Sequence, residues 1–458
     1  MKNYIYGAGA FGSALYDDAK RAGVFITAYI DDDPEKMGGS VNGVPIISLD
    51  SLLQAISPQD CIILCFPSLD RNKIIEKAFN IKKQLNCKIK ILPDYYEIIS
   101  MQIKSGNLAL NLYESLIESD SVISHSNEAL INKRVVVTGA GGSIGSRVCF
   151  ELVLQNSSHI IINDQNEFSL FEIEKSLKAF IDASGYEIKL DVVLGDVSNS
   201  FVASELMSFN PDIVIHAAAY KHVHMGERSA RSVIMNNVLS TFEILKASRE
   251  TNIPAIILVS TDKAVKPTSI MGFSKLLCEQ LMMNEADLLD DSVRSIVRFG
   301  NVLGSSGSVI PIFRNGFKSK IPIEVRGRNS TRFFMTIEEA AALICRVANI
   351  KTRSSKFVLD MGAPVKIYDL ALCVAYLEGI KFDDNGVPDY PIEIVNLLQG
   401  EKEHEDLAIG RFKKTDENNI LEIVEDAISY YDLDSIECIQ EVQNTTWFIE
   451  LLDKVGLS

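Results

Sequence analysis

Twice in this chain a short apolar strand runs into a glycine-rich turn, a helix, and a second strand that ends in aspartate. In the first instance Asn3–Tyr6 leads into Gly7-Ala8-Gly9-Ala10-Phe11-Gly12, a helix to about residue 22, and a strand at 24–30 before Asp31-Asp32-Asp33. In the second, RVVVT at 134–138 leads into Gly139-Ala140-Gly141-Gly142-Ser143-Ile144-Gly145, a helix to about 154, and a strand at 159–163 before Asp164. Few local patterns restrict a fold so much. The glycines let backbone approach a pyrophosphate, the helix N-terminus takes its charge, and an acid about 20 residues on accepts from a ribose hydroxyl. A carboxylate at Asp164 favours NAD over NADP, because a 2′-phosphate would meet like charge. Asp196 and Val197, after the next strand, are placed to meet the adenine. Acid behind the first turn suits a ribose as well, but no chemistry-bearing group follows it in 34–95. Ligand binding, and a regulatory or assembly role without a ligand, therefore both stand for that domain.

The remaining strand candidates complete two α/β domains. Apolar runs at 61–66 and 90–92 close the first near residue 95, and 96–132 is a polar, helical connector. After the second glycine turn, runs at 191–194, 213–216, 255–260 and 295–298 alternate with helix-sized gaps, the signature of a doubly wound parallel sheet. From Gly304 the alternation breaks into short strands near 321–326, 357–360 and 392–395, which predicts a smaller substrate-covering lobe ending near 410. Residues 411–458 are acidic and predict a helical tail carrying Trp447. Charge narrows the partners: 45 basic against 61 acidic residues give −16, unsuited to coating a nucleic-acid backbone. Eight cysteines lie scattered in apolar runs without a CxxC pair, so no metal site and a reducing compartment are expected. No uncharged apolar run approaches the ~18–20 residues of a membrane span, and no signal-peptide pattern opens the chain. A cytoplasmic location is the expectation.

The chemistry concentrates in STDKAVKPTSIMGFSK at 260–275. A strand ends at Ser260, so Thr261, Asp262 and Lys263 emerge at the carboxyl edge of the sheet, where such folds bind ligands. Asp262 and Lys263 are adjacent, opposite in charge, and able to tune each other's proton affinity. Met271 and Lys275 stand four apart on one helix face.

With VVVTGAGGSIGS (135–146), HAAAYKHV (216–223), NNV (236–238), RFGNVLGSSGSVIPIF (298–313), TRFFMT (331–336) and LDMGAPVKIYDLA (359–371), that stretch resembles the extended short-chain dehydrogenase/reductases. The resemblance covers about 130–410 and is to the bacterial nucleotide-sugar 4,6-dehydratases of polysaccharide biosynthesis. Residues 1–95 resemble the extra Rossmann-like domain that long members carry after a membrane anchor; the anchor itself is not expected here. The resemblance implies bound NAD, a UDP-N-acetylhexosamine substrate such as UDP-N-acetylglucosamine, and a homo-oligomer. The implied chemistry is oxidation at C4, elimination of water across C5 and C6, and hydride return to C6. Met271 occupies the place of the usual catalytic tyrosine of YxxxK, as in the long dehydratases, and a thioether cannot take a proton. The resemblance gives Lys263 the role of base at C5 and Asp262 that of acid at the C6 hydroxyl. Lys275 would hold the nicotinamide ribose. Thr261, a water, or Lys275 through water would receive the C4 hydroxyl proton. Ala217, Ala218 and Ala219 would line the cofactor, Asn237 would set the helix behind Lys275, and Lys221 and His222 would face the substrate. Asn301, Arg314 and Arg332 would face the nucleotide diphosphate. Two departures stand out: KHVHMGE at 221–227 for KHVPLME, and LQGEK at 398–402 for RPGEK, which removes an arginine expected at the nucleotide. An epimerase on the same scaffold, or a non-catalytic NAD-binding assembly protein, are the other readings.

Overall fold

The computed structural model describes residues 2–426, apart from 22, 53–54, 67–70, 86, 92–94, 106–127, 289–291, 306, 353 and 384. The chain divides into two compact units, Met1–Ser126 with Lys178–Tyr186, and Asn127–Leu177 with Glu187–Ser458.

Unit one holds a six-stranded sheet in the order Ser40–Val41, Val44–Ile47, Ile26–Ile30, Asn3–Tyr6, Cys61–Leu64, Lys88–Ile91. All neighbours are parallel except the hairpin Ser40–Val41 with Val44–Ile47. Helix Ala10–Arg21 packs Leu15 and Ala19 onto Ile5, Tyr29 and Ile63 of the sheet. The first glycine turn is closed by its own acid: the Ala8 amide donates to Asp31 Oδ2 at 2.8 Å, and Lys36 Nζ reaches the same oxygen at 3.1 Å. The expected connector begins as the helix Tyr95–Ser105.

Unit two is built on nine strands, in the order Gly410–Lys414, Ile420–Asp426, Ser354–Leu359, Val293–Arg298, Ala255–Val259, Ile213–His216, Arg134–Thr138, His159–Asp164, Lys189–Leu194. The seven from Ser354–Leu359 to Lys189–Leu194 are all parallel. Four of them have buried, β-branched cores (VVV, III, IVI, II), as the middle of a sheet covered by helices on both faces requires. Chain order reverses between Arg134–Thr138 and Ile213–His216, and that switch point opens a crevice at the carboxyl ends of the strands.

Two expectations are corrected here. The run at 357–360 is not part of a lobe; it belongs to Ser354–Leu359, seventh strand of the main sheet, paired with Val293–Arg298. Residues 411–426 are not helical: Gly410–Lys414 and Ile420–Asp426 form an antiparallel ribbon that extends the sheet. Their charges are what an exposed sheet edge tolerates, and Lys413 pairs with Glu422 across it at 3.8 Å. The rest of the expected helical tail, 427–458 with Trp447, lies outside the described residues. The lobe keeps the parallel pair Ile323–Arg326 with Ile392–Val395.

A buried ion pair welds the site-bearing helix to this sheet. Arg298 Nε donates to Glu279 Oε1 at 2.8 Å, and Ser260 Oγ donates to the same oxygen at 2.5 Å. Both charged side chains are without exposed surface. Glu279 sits on helix Ile270–Leu288, Arg298 ends its strand, and Ser260 directly follows the end of the adjacent strand Ala255–Val259. Removing one partner strands the other charge in a dry interior, so Arg298→Ala is expected to cost about 3–5 kcal/mol in urea unfolding, with Glu279→Met/Arg298→Met recovering most of it. A loss below about 1 kcal/mol for the single variant would contradict this.

Candidate active site

At the switch point the turn after Arg134–Thr138 is held by the residue types singled out in the sequence. Gly139 has φ +66°, and a Cβ there would lie 2.7 Å from the Ala218 backbone, so no other residue lets the two loops approach. The Gly141 amide donates to Asp164 Oδ2 at 2.9 Å. Helix Ser143–Leu154 starts from Gly142, whose lack of a side chain leaves the first-turn amides uncapped, and it has no acid in its first turn. That helix start borders a cavity of about 1020 Å³ lined by Gly139, Gly142, Ser143, Ile144, Gly145, Ala217 and Ala219. A second recess, of about 200 Å³, is bordered by Asp164, Asp196, Val197 and Ala218 as well. An uncapped helix start beside a glycine cradle, with a carboxylate behind it, fits the diphosphate and adenosine of a dinucleotide.

The opposite wall holds the side chains that the sequence singled out for chemistry. Thr261, Lys263, Met271, Lys275 and Asn301 border the same cavity, as do Lys221 and His222. Asp262 does not: it has no exposed surface, and its Oδ1 accepts from Thr261 Oγ1 at 2.8 Å and Lys263 Nζ at 2.8 Å. The acid expected to touch the sugar therefore stands behind two residues that can. Lys263 Nζ also donates to Asn301 Oδ1 at 3.2 Å and lies 3.9 Å from Glu405 Oε1. Thr261 caps the short 3-10 turn Asp262–Ala264, and the Asp262 amide bonds Phe299 O at 3.0 Å, so the segment is fixed to the neighbouring strand. Helix Ile270–Leu288 comes so close to this turn that a Cβ at Gly272 would meet Lys263 O at 2.3 Å.

Burial sets the electrostatics. Lys275 is buried, and desolvation lowers its pKa although Cys278 and Glu279 oppose the shift. Desolvation also lowers Lys221, and lowers His222 with help from Lys221 and His224. Bases held below their ordinary range in a cleft are suited to proton chemistry near neutrality. Asn237 lies in the π-helical turn Met235–Leu239, its side chain bonding the Tyr220 backbone on both edges and Ser274 Oγ at 2.8 Å. Ser274 in turn donates to Met271 O, which places Asn237 behind the Met271–Lys275 face. His216, passed over in the sequence, is buried between Thr138 and Thr241, and burial holds it down to about 3, hence neutral.

Two expected nucleotide contacts are engaged elsewhere. Arg314 Nε pairs with Glu378 at 2.7 Å. The Arg332 guanidinium donates to the carbonyls of Thr331, Lys402 and Glu403 at 2.7–3.0 Å. Neither borders the cavity. A motif cannot reveal this, because an arginine that grips carbonyls and one that grips phosphate look alike in sequence. Ser305, Gly307 and Ser308, within a quoted motif but given no role from the sequence, line the cavity, and Glu405 was not singled out at all.

Residues 135–425 match the family described as polysaccharide biosynthesis protein. The chain is 34% identical over 402 residues to the capsular polysaccharide biosynthesis protein CapD of Staphylococcus aureus, covering 86% of this chain and 63% of CapD. It is 30% identical to a UDP-glucose 4-epimerase of Rickettsia canadensis, over 60% of this chain and 78% of that one. Among solved structures it resembles Pen from Bacillus thuringiensis, with TM-score 0.57 and 26% identity over 64% of this chain and 88% of Pen. The fold also matches DesIV of Streptomyces venezuelae, a dTDP-glucose 4,6-dehydratase solved with NAD bound, at TM-score 0.50 and 18% identity over 60% and 88% of the chains. No described helix is long and apolar enough to cross a membrane. The fold is α/β with Rossmann-like parallel sheets, and the chain belongs to the polysaccharide biosynthesis protein family.

Proposed function

We propose that this chain is a nucleotide-sugar-modifying enzyme of polysaccharide synthesis that converts a UDP-N-acetylhexosamine, UDP-N-acetylglucosamine first, to its 4-keto-6-deoxy form. The observation that carries this reading is the Thr261–Asp262–Lys263 cluster opposite a dinucleotide cradle, in a site whose tyrosine position holds Met271. NAD is the cofactor that the Gly139–Gly145 turn and Asp164 fit; when bound it supplies hydride acceptance from C4 and hydride return to C6. Lys275 positions the nicotinamide ribose. Thr261 Oγ1 takes the C4 hydroxyl proton while passing its own to Asp262 Oδ1, 2.8 Å away. Lys263 removes the C5 proton, made acidic by the C4 ketone. The proton stored on Asp262 leaves through Thr261 with the C6 hydroxyl as water, so the C4 hydroxyl's proton and the lost hydroxide balance. Lys263 then returns a proton to C5.

The relatives' names also admit a 4-epimerase. A 4-epimerase reprotonates nothing at C5 and keeps the C6 hydroxyl, so one experiment separates the two. Incubation with UDP-N-acetylglucosamine in deuterated water is expected to give a 4-ketone with a C6 methyl group and deuterium at C5 by NMR. A C4-inverted product without C5 deuterium would replace the dehydratase with the epimerase.

Two variants test the roles. Lys263→Ala is expected to lower C5 exchange by about 10²–10⁴-fold, the range for a lost general base, with NAD still bound; unimpaired exchange would remove Lys263 from that role. Gly139→Ala strains the backbone and meets Ala218, so calorimetric titration with NAD should show affinity reduced about tenfold or more, ~1.4 kcal/mol. Unchanged affinity would place the cofactor elsewhere.

A further inference from the structure

Lys263 Nζ has a third neighbour besides Asp262 and Asn301. Glu405 Oε1 stands 3.9 Å away, and Glu405 Oε2 lies 3.3 Å from Lys402 Nζ. Asp262, Lys263, Glu405 and Lys402 thus alternate in sign along one line of contacts. Glu405 is 7% exposed and does not border the cavity, so it reaches the site only through Lys263. Buried charge in such a chain is held by its neighbours, and removal of one member leaves the next uncompensated.

The segment that carries Glu405 is fastened on both sides of the site. Lys402 Nζ donates to Val265 O at 2.7 Å, and Thr268 Oγ1 donates to Gly400 O at 3.2 Å; both partners flank the Thr261–Lys263 turn on its C-terminal side. From the other side the Thr331 amide bonds Glu403 O at 3.0 Å, Thr331 Oγ1 meets His404 Nδ1 at 2.9 Å, and Arg332 grips the carbonyls of Lys402 and Glu403. Arg332, expected at the nucleotide, is thus an anchor of this strap.

We propose that Glu405 is a positioning residue for Lys263: the strap 399–405 delivers a buried carboxylate that holds Lys263 Nζ against Asp262 and stabilises the charge Nζ acquires with a proton. The inference rests on Lys263 as the C5 base, but its first test needs no substrate. Among the described residues, the charged groups around Lys263 are Asp262 and Glu405 in contact, Lys402 beyond Glu405, and Lys275, Lys221 and His222 bordering the same cavity.

Competitive acylation of the NAD-loaded chain with limiting acetic anhydride, read at each lysine by mass spectrometry, reports how firmly each ammonium keeps its proton and place. In Glu405→Gln, Lys263 should be labelled severalfold faster with Lys275 unchanged, and Glu405→Asp should return Lys263 towards the original rate. Unchanged Lys263 labelling, or Lys263 and Lys275 rising together as in general loosening, would overturn the proposal. A second arm uses UDP-N-acetylglucosamine: Glu405→Gln should lower C5 exchange about tenfold relative to C4 oxidation in single turnover, because the base and not hydride transfer is disturbed. Equal losses in both steps would contradict a positioning role. Absence of C5 exchange in the unmodified chain would sink the dehydratase reading alone, and the labelling result would still decide Glu405.

Discussion

A carboxylate with no exposed surface must satisfy its charge on whatever surrounds it, and Asp262 does so on Thr261 and Lys263 through one oxygen. The arrangement of the site follows from that demand. Both donors are drawn back onto Asp262 while keeping a face on the cavity, so a buried acid and two half-buried donors form one hydrogen-bonded cluster. Solvent cannot compete for the carboxylate, which makes each of its hydrogen bonds stronger and each substitution in the cluster costlier.

Holding such a cluster at the end of a strand requires rigidity on several sides. The Asp262 amide is tied to the neighbouring strand at Phe299, and the Glu279–Arg298 pair joins the site helix to that strand through a bond shared with Ser260. Gly272 lets the helix close onto the turn, and the strap 399–405 closes the remaining side. Met271 and Lys275 thus border the cavity from a helix tied to the sheet by a buried ion pair. The cofactor cradle across the cavity is set by the strand-order reversal between Arg134–Thr138 and Ile213–His216, so both halves of the site share one sheet.

Much of this was readable in the residues because it is local. The second glycine turn, Asp164, and the Thr261–Lys263 and Met271–Lys275 groupings each lie within one strand–turn–helix step, where spacing dictates geometry. What escaped is what long-range pairing decides. The strands after 410 look like an acidic helix until Phe357 and Glu422 are seen opposite each other. Arg332 looks like a phosphate ligand until carbonyls 70 and 71 residues away occupy it. Glu405 carries no motif of its own; only its place beside Lys263 gives it a role. The exposure of Asp262 was misjudged for the same reason, since adjacency to Lys263 shows the pairing but not which partner faces the cavity.

In the proposed reaction one hydride leaves C4 and returns to C6 of the same sugar while the Thr261–Asp262–Lys263 unit handles the protons. Turnover of UDP-N-acetylglucosamine carrying deuterium at C4 tests it directly, with the product's label located by NMR. Deuterium in the C6 methyl group is the expected result. Deuterium still at C4 of a sugar that keeps its C6 hydroxyl, or lost to water, would contradict it.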